Sequence, residues 1–176
     1  YFGDPGGVVV QGLLASSMEY GLEMQQLGEA EAAKFCPGYT APRGASILYE
    51  EDAGYLRVED CVRTHVEEAV RLGAEHRRAS VILWKPTKSS VEVCTSEGSF
   101  SAKRLIVAAG CWSKYLLQDL KIPLRIVRKH LHWYETDQAH YREDEGCPCF
   151  FYQANGGMFY GFPDIDGGGV KVAEHS

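Results

Sequence analysis

The run "CFFYQANGGMFYGFPDIDGGGVKVAEH", residues 149 to 175, constrains the fold more than any other part of the chain. It holds the short extended segments "CFFYQ", "GMFYGFP" and "GVKVAEH", separated by Asn155-Gly156-Gly157 and by Asp166-Gly167-Gly168. Asn, Asp and Gly accept the backbone conformations of tight hairpin turns, so the pattern predicts consecutive antiparallel strands. A further extended run, "RIVRKHLHWYET", lies ahead of them and is joined to them by a polar loop.

Upstream the period changes. Val9, Leu13, Met18 and Leu22 are spaced for a helix from Val8 to about Gly21, and Glu29 to Phe35 for a second, ended by Cys36-Pro37-Gly38. Tyr1 and Phe2 read as the tail of a strand entering a Gly-Asp-Pro-Gly-Gly turn, and Ser46 to Tyr49 as a short extended segment. The clearest helix is "RVEDCVRTHVEEAVRLG", from residue 57 on, with Val58, Cys61, Val62, Val66, Ala69 and Val70 repeating at three and four. Glu59 and Asp60 in its first turn suit the positive end of a helix dipole, and Gly73 ends it. Its valine stripe predicts a packed face, with His65 partly buried beside it.

Short strands are expected at "ASVILW", "SVEVCT", "SFSAK" and "RLIVAAG". The last, Leu105 to Ala109, is apolar without alternation and ends at Gly110, the pattern of a strand buried on both faces of an α/β layer. The predicted class is α+β in the mixed α/β sense: an α/β piece in the middle of the chain, and an antiparallel β-sheet with flanking helices.

Composition excludes several roles. With 176 residues, 45% hydrophobic and 24% charged, the chain is long enough for a real core. A net charge of −6 offers no broad positive field for nucleic acid, despite the local cluster of Arg125, Arg128 and Lys129. No apolar run approaches the roughly 18 residues of a membrane span. A cytoplasmic protein, or one of an organelle lumen such as the peroxisome, is therefore expected.

Six cysteines are scattered through the sequence and are expected to be reduced. Cys147-Pro148-Cys149 with His130 and His132 can be drawn as a zinc site, but one intervening proline is too short for the usual ligand spacing, so no metal is expected. "DIDGGG" lacks the remaining ligands of a calcium loop.

The runs "GYLRVEDCVRTHVEEAVRLGAEHR", "RLIVAAGCWSKYLL", "IPLRIVRKHLHWYET" and the opening segment occur in the order found in the monomeric sarcosine oxidase family, which includes N-methyltryptophan and pipecolate oxidases. The resemblance covers essentially the whole chain. It is carried by Ala-Gly-x-Trp at 109 to 112, Tyr-Gly-x-Pro at 160 to 163, and a Lys then a His after the glycine turn. It implies an FAD enzyme whose cofactor and substrate domains are each assembled from non-adjacent segments. Residues 1–50 and 119–176 would then belong to the substrate domain, and 51–118 to the FAD-binding domain.

The implied activity is oxidation of the C–N bond of a secondary amino acid to an imine, with O2 reduced to hydrogen peroxide. By the same resemblance Lys171 is the site of oxygen activation, where a fixed cation stabilises nascent superoxide. Tyr160 and His175 line the substrate pocket and favour the unprotonated amine. Ala109, Gly110 and Trp112 match the strand-end turn against FAD, and Val81 a residue facing its adenine side.

No Gly-x-Gly-x-x-Gly follows a strand here. The family's flavin-linking cysteine and a substrate-binding lysine have no counterpart either. The chain is thus expected to be a fragment of a longer oxidase that does not retain FAD tightly by itself. Two other readings stay open: a related flavin dehydrogenase using another acceptor, and a non-catalytic binding or metal module.

Overall fold

The computed structural model describes residues 1–175. In chain order its elements are β1 (Phe2–Gly3), α1 (Val8–Tyr20), β2 (Gln25–Leu27), α2 (Glu29–Phe35), β3 (Ser46–Tyr49), α3 (Val58–Arg71), β4 (Val81–Pro86), β5 (Val91–Thr95), β6 (Gly98–Ala102) and α4 (Ser113–Leu116). They are followed by β7 (Leu131–Tyr134), β8 (Phe150–Ala154), β9 (Gly157–Phe162) and β10 (Val170–His175). The mixed α/β class expected from the pattern is the one observed. The elements divide into two compact units, one made of Tyr1–Leu56 with the chain from Lys129 onward, the other of Arg57–Arg128.

The first unit is built on a sheet of order β2-β3-β1-β8-β9-β10-β7. Its pairs are antiparallel except β1 with β8, where Phe2 lies beside Tyr152 in parallel. Because side chains alternate across a strand, the register separates two faces. One face gathers Phe2, Leu27 and Ile47 with Ala32 of α2 into the buried core, against which Tyr39, Phe150 and Tyr152 pack. Phe2 stacks on Tyr152 at 4.2 Å between centroids, and Tyr39 meets Phe150 edge-on at 5.1 Å. The Pro- and Gly-rich loop after α2 is tied to this layer by tyrosine hydroxyls. Tyr39 donates to the carbonyl of Pro148 (2.9 Å), Tyr141 to that of Gly38 (3.0 Å) and Tyr152 to that of Thr40 (3.0 Å). Each hydroxyl, the polar end of an otherwise apolar ring, thus finds a backbone acceptor.

α1 and α2 have the boundaries their sequences suggest. α1 ends at Gly21, whose φ of 67° is left-handed and whose N–H returns to the carbonyl of Ser17. β2 escaped the sequence reading, because Gln-Gln-Leu has neither alternation nor β-branched residues. It forms by pairing with β3.

The second unit holds α3 and the antiparallel sheet β4-β5-β6. Two expectations fail in it. Residues 104–109 form no strand, since none of the strands in the unit pairs with them, and Ile106 is 90% exposed. An apolar run states what a segment can bury; a strand also needs hydrogen-bonding neighbours. Likewise the valine stripe of α3 is uncovered: Val58 is 61% and Val62 56% exposed, and His65 is exposed as well. The long extended run ahead of β8 contracts to Leu131–Tyr134, the stretch that pairs with β10. No helix among the described residues is long and apolar enough to cross a membrane.

Candidate functional site

On β10, Lys171, Ala173 and His175 share one face by alternation. Across the ladder Lys171 faces Phe162, Ala173 faces Tyr160 and His175 faces Met158 on β9. On the other side Lys171 faces Trp133 of β7, and further along Tyr160 faces Phe151 of β8. The register therefore brings Lys171, Tyr160 and His175 together on the face opposite the core.

The Lys171 ammonium lies 5.2 Å from the ring centroids of both Trp133 and Phe162. That is within cation–π range, so the two rings hold the charge from either side. Among the described residues no carboxylate forms an ion pair with it. Tyr160 meets Phe162 edge-on at 5.9 Å and His175 at 6.1 Å, while His175 meets Phe151 at 5.4 Å. The result is one aromatic layer carrying an un-neutralised cation at one end and an exposed imidazole at the other.

Two glycines permit this layer. Gly161, between Tyr160 and Phe162, leaves the space that the Phe150 ring fills on the opposite face. Gly169 has a φ of 93°, and a Cβ there would fall 2.5 Å from the carbonyl oxygen of Tyr134, so only glycine lets the turn dock against the end of β7. The turn before it is internally bonded: Asp164 accepts from the N–H of Gly167 (2.8 Å) and Asp166 from that of Gly168 (3.2 Å). These carboxylates thus act as turn formers.

A cleft of about 210 Å³ opens on the same face, between the end of β3, the loop after it, and strands β8 and β9. Tyr160 and Phe162 line it, as do Leu48, Glu50 and Cys149. Burial raises the pKa of the Cys149 and Cys147 thiols, and it pushes Cys36 up to about 11, with Cys147 adding to that rise. These thiols are therefore protonated at neutral pH and poorly suited to nucleophilic or ligand roles. Cys147 lies 3.2 Å from the hydroxyl of Tyr39, whereas His130 and His132 neighbour each other at 6.4 Å. Among the described residues no three His, Cys, Asp or Glu are grouped to hold a metal.

The other predicted residues lie in the second unit. Val81 opens β4, and with Ala109 it lines an apolar cavity of about 240 Å³ shared with Trp84, Val93, Val107 and Leu116. The Trp84 indole N–H donates to the carbonyl of Leu116 at 2.6 Å, fixing one wall. Gly110 has a left-handed φ of 53°, and the turn it starts ends at Trp112, which is 68% exposed. The lining is apolar and has no charged side chain, and neither Gly110 nor Trp112 belongs to it.

Sequence reasoning singled out neither Trp133 nor Phe162, nor the cleft residues Leu48 and Glu50, and it considered Cys149 only as part of a zinc site. Their common signal is cross-strand register, which a single run of sequence does not display.

A family model described as FAD dependent oxidoreductase matches residues 8–175. The chain is 32% identical over 171 residues to a monomeric sarcosine oxidase of Arthrobacter sp. (strain TE1826), covering 93% of this chain and 43% of that protein. It is 33% identical to the monomeric sarcosine oxidase of Streptomyces avermitilis, covering 97% and 46% respectively. Against an N-methyl-L-tryptophan oxidase of Yersinia pestis the identity is 28%, covering 98% and 46%. Among solved structures, the open form of NikD, an unusual amino acid oxidase essential for nikkomycin biosynthesis, superposes with a TM-score of 0.70 at 18% identity, over 98% of this chain and 47% of that one. The chain thus spans less than half the length of the relatives it matches.

Proposed function

The chain belongs to the family of FAD-dependent oxidoreductases, and from that membership we propose that it is part of a flavoprotein oxidase acting on a secondary amino acid. The substrate's C–N bond loses two electrons and two protons to become an imine, which water hydrolyses, and O2 takes up the same number to become hydrogen peroxide. Bound FAD would supply the two-electron acceptor between these half-reactions. Val81, Ala109, Gly110 and Trp112 are the residues of this chain proposed to hold it, with the remaining contacts outside the chain, so that the chain alone retains FAD weakly.

One observation supports the oxidase reading above the others: Lys171 is a cation between two rings, and among the described residues no carboxylate forms an ion pair with it. Holding an ammonium this way leaves its charge available to an anion forming at the face. A fixed charge needs no reorganisation when that anion appears. Tyr160 and His175, in ring contact at the same face, would orient the substrate amine and accept its proton, leaving the nitrogen lone pair free. The compartment proposed is a reducing one, the cytoplasm or the lumen of an organelle like the peroxisome, in keeping with six cysteines scattered through the sequence.

The test is Lys171→Met in the full-length flavoprotein, with the two half-reactions measured separately by stopped flow. Reoxidation by O2 is expected to slow by roughly a hundredfold, the scale of removing one electrostatic stabiliser, while reduction by substrate changes little. Unchanged reoxidation would exclude the oxygen-activating role and leave a dehydrogenase with another acceptor.

A further inference from the structure

Three methionines occur in this chain, Met18, Met24 and Met158, and no role given above uses them. Met158 lies on the face of Lys171, since Met158, Tyr160 and Phe162 point to one side of β9 by alternation. Across its two ladders it is paired with His175 of β10 and with Gln153 of β8. Directly opposed side chains of an antiparallel pair sit about 4.5–5.5 Å apart between Cβ atoms, so the thioether belongs to the layer of Tyr160 and His175. Met24 is half-buried as Met158 is, but it precedes β2, the edge strand farthest from β7. Met18, on α1, is 87% exposed.

Hydrogen peroxide formed at this face meets two kinds of sulfur. Cys149 lines the cleft beside Tyr160, but a thiol reacts with peroxide as its thiolate, and burial raises the pKa of this one. A thioether has no proton to lose, so its lone pairs are available at any pH. Oxygen transfer to it balances without a further reagent. Sulfur gives up two electrons and bonds one peroxide oxygen, the O–O bond breaks, and the proton on the transferred oxygen joins the departing hydroxide to make water. His175, across the ladder, is placed to relay that proton.

We propose that Met158 is oxidised to its sulfoxide by the hydrogen peroxide that the enzyme itself produces, and that this modification slows the enzyme. The proposal rests on the oxidase reading above. Oxidation turns an apolar side chain into a polar one, and its new oxygen draws the imidazole of His175 toward itself and away from the substrate amine. A loss of roughly tenfold in kcat/KM is expected, the scale of one misplaced hydrogen bond, and methionine sulfoxide reductase restores the activity.

The experiment uses the full-length flavoprotein turning over in the presence of catalase, which removes peroxide once it has left the protein. Sarcosine, N-methyltryptophan and pipecolate are tried, with peroxide release recorded first in a sample without catalase. Mass spectrometry of peptides then follows the three methionines and Cys149. Met158 is expected to gain one oxygen while Met18 and Met24 stay unmodified. Met158→Leu, a change that nearly conserves volume, should keep the initial rate and abolish the decline during turnover. Met158→Gln, which places a polar group at the same point, should show the low kcat/KM from the start.

The proposal is overturned if oxidation follows exposure, with Met18 ahead of Met158, if Cys149 takes the oxygen instead, or if Met158→Leu declines as fast as wild type. Peroxide release with Met158 left intact sinks this proposal alone. Absence of peroxide with every amine sinks the oxidase reading and the proposal with it.

Discussion

Replacing Gly161 by alanine adds one methyl group to β9, and its cost can be worked from the space around it. An ideal Cβ at Gly161 would lie 2.2 Å from Cζ of Phe150 and 2.5 Å from the carbonyl oxygen of Lys171. Carbon atoms in contact sit about 3.5–4.0 Å apart, so the first distance is short by more than about 1 Å. The Phe150 ring is not free to swing away, because Tyr39 packs edge-on against it at 5.1 Å and Tyr152 at 5.6 Å. The carbonyl belongs to the backbone of β10 and can retreat only if the β9–β10 ladder opens.

Overpacking of this kind costs about 1–3 kcal/mol, and with both neighbours restrained the upper end applies. Up to about 1 kcal/mol returns because alanine has less freedom than glycine in the unfolded chain. The net expectation is a loss of about 2 kcal/mol, or roughly thirtyfold in the folding equilibrium. With a urea dependence of about 2 kcal/mol/M, the unfolding midpoint falls by about 1 M. Far-UV circular dichroism in urea measures it. A double-mutant cycle with Phe150→Leu should recover only part of the loss, since the Lys171 carbonyl remains in place. A midpoint within about 0.25 M of wild type, or about 0.5 kcal/mol, would refute the reasoning, and so would complete rescue by Phe150→Leu.

Trp133→Leu removes one of the rings beside the Lys171 ammonium. Trp133 is 55% exposed, so stability should change little, while O2 reoxidation slows roughly fivefold, as about 1 kcal/mol of lost cation–π attraction implies. Trp133→Phe should keep most of the rate, and equal slowing of substrate reduction would argue against a specific effect on Lys171. The Cys36 thiol makes a prediction in pH: burial moves it from an ordinary value of 9.0 to about 11. The unfolded chain releases that proton first, so the stability it contributes is complete below pH 9 and is lost as pH rises toward 11. Urea midpoints between pH 8 and 11 should fall, and Cys36→Ala should make the fall shallower. Identical slopes would show that the thiol is not linked to folding.

The antiparallel end of the chain was legible in the sequence because turn chemistry and alternation are local. Asn155-Gly156-Gly157 and the triple glycine from Gly167 mark the turns, and they separate the observed strands β8, β9 and β10. Helix α2 was legible for a similar reason, since its spacing and the Cys36-Pro37-Gly38 that ends it are local signals. Residues 104–109 and the valine stripe of α3 were misread because an apolar pattern reports an affinity for cover without naming what supplies it. Trp133 was hidden for a different reason, since its place opposite Lys171 is set by the β7–β10 register.

The same register links the legible part to the site. Side chains alternate with a period of two, so a slip of one residue between β9 and β10 would turn Lys171 and His175 to the face of Phe150 and Tyr152 and bring Val172 out in their place. The turn between them guards against that slip, since Gly169 seats it against Tyr134, and Gly156, with a φ of 110°, fixes the neighbouring β8–β9 hairpin in the same way. The glycines that first revealed the sheet therefore also decide which face carries the cation. Their substitution should cost stability and the Lys171 geometry together, whereas Trp133→Leu separates the two.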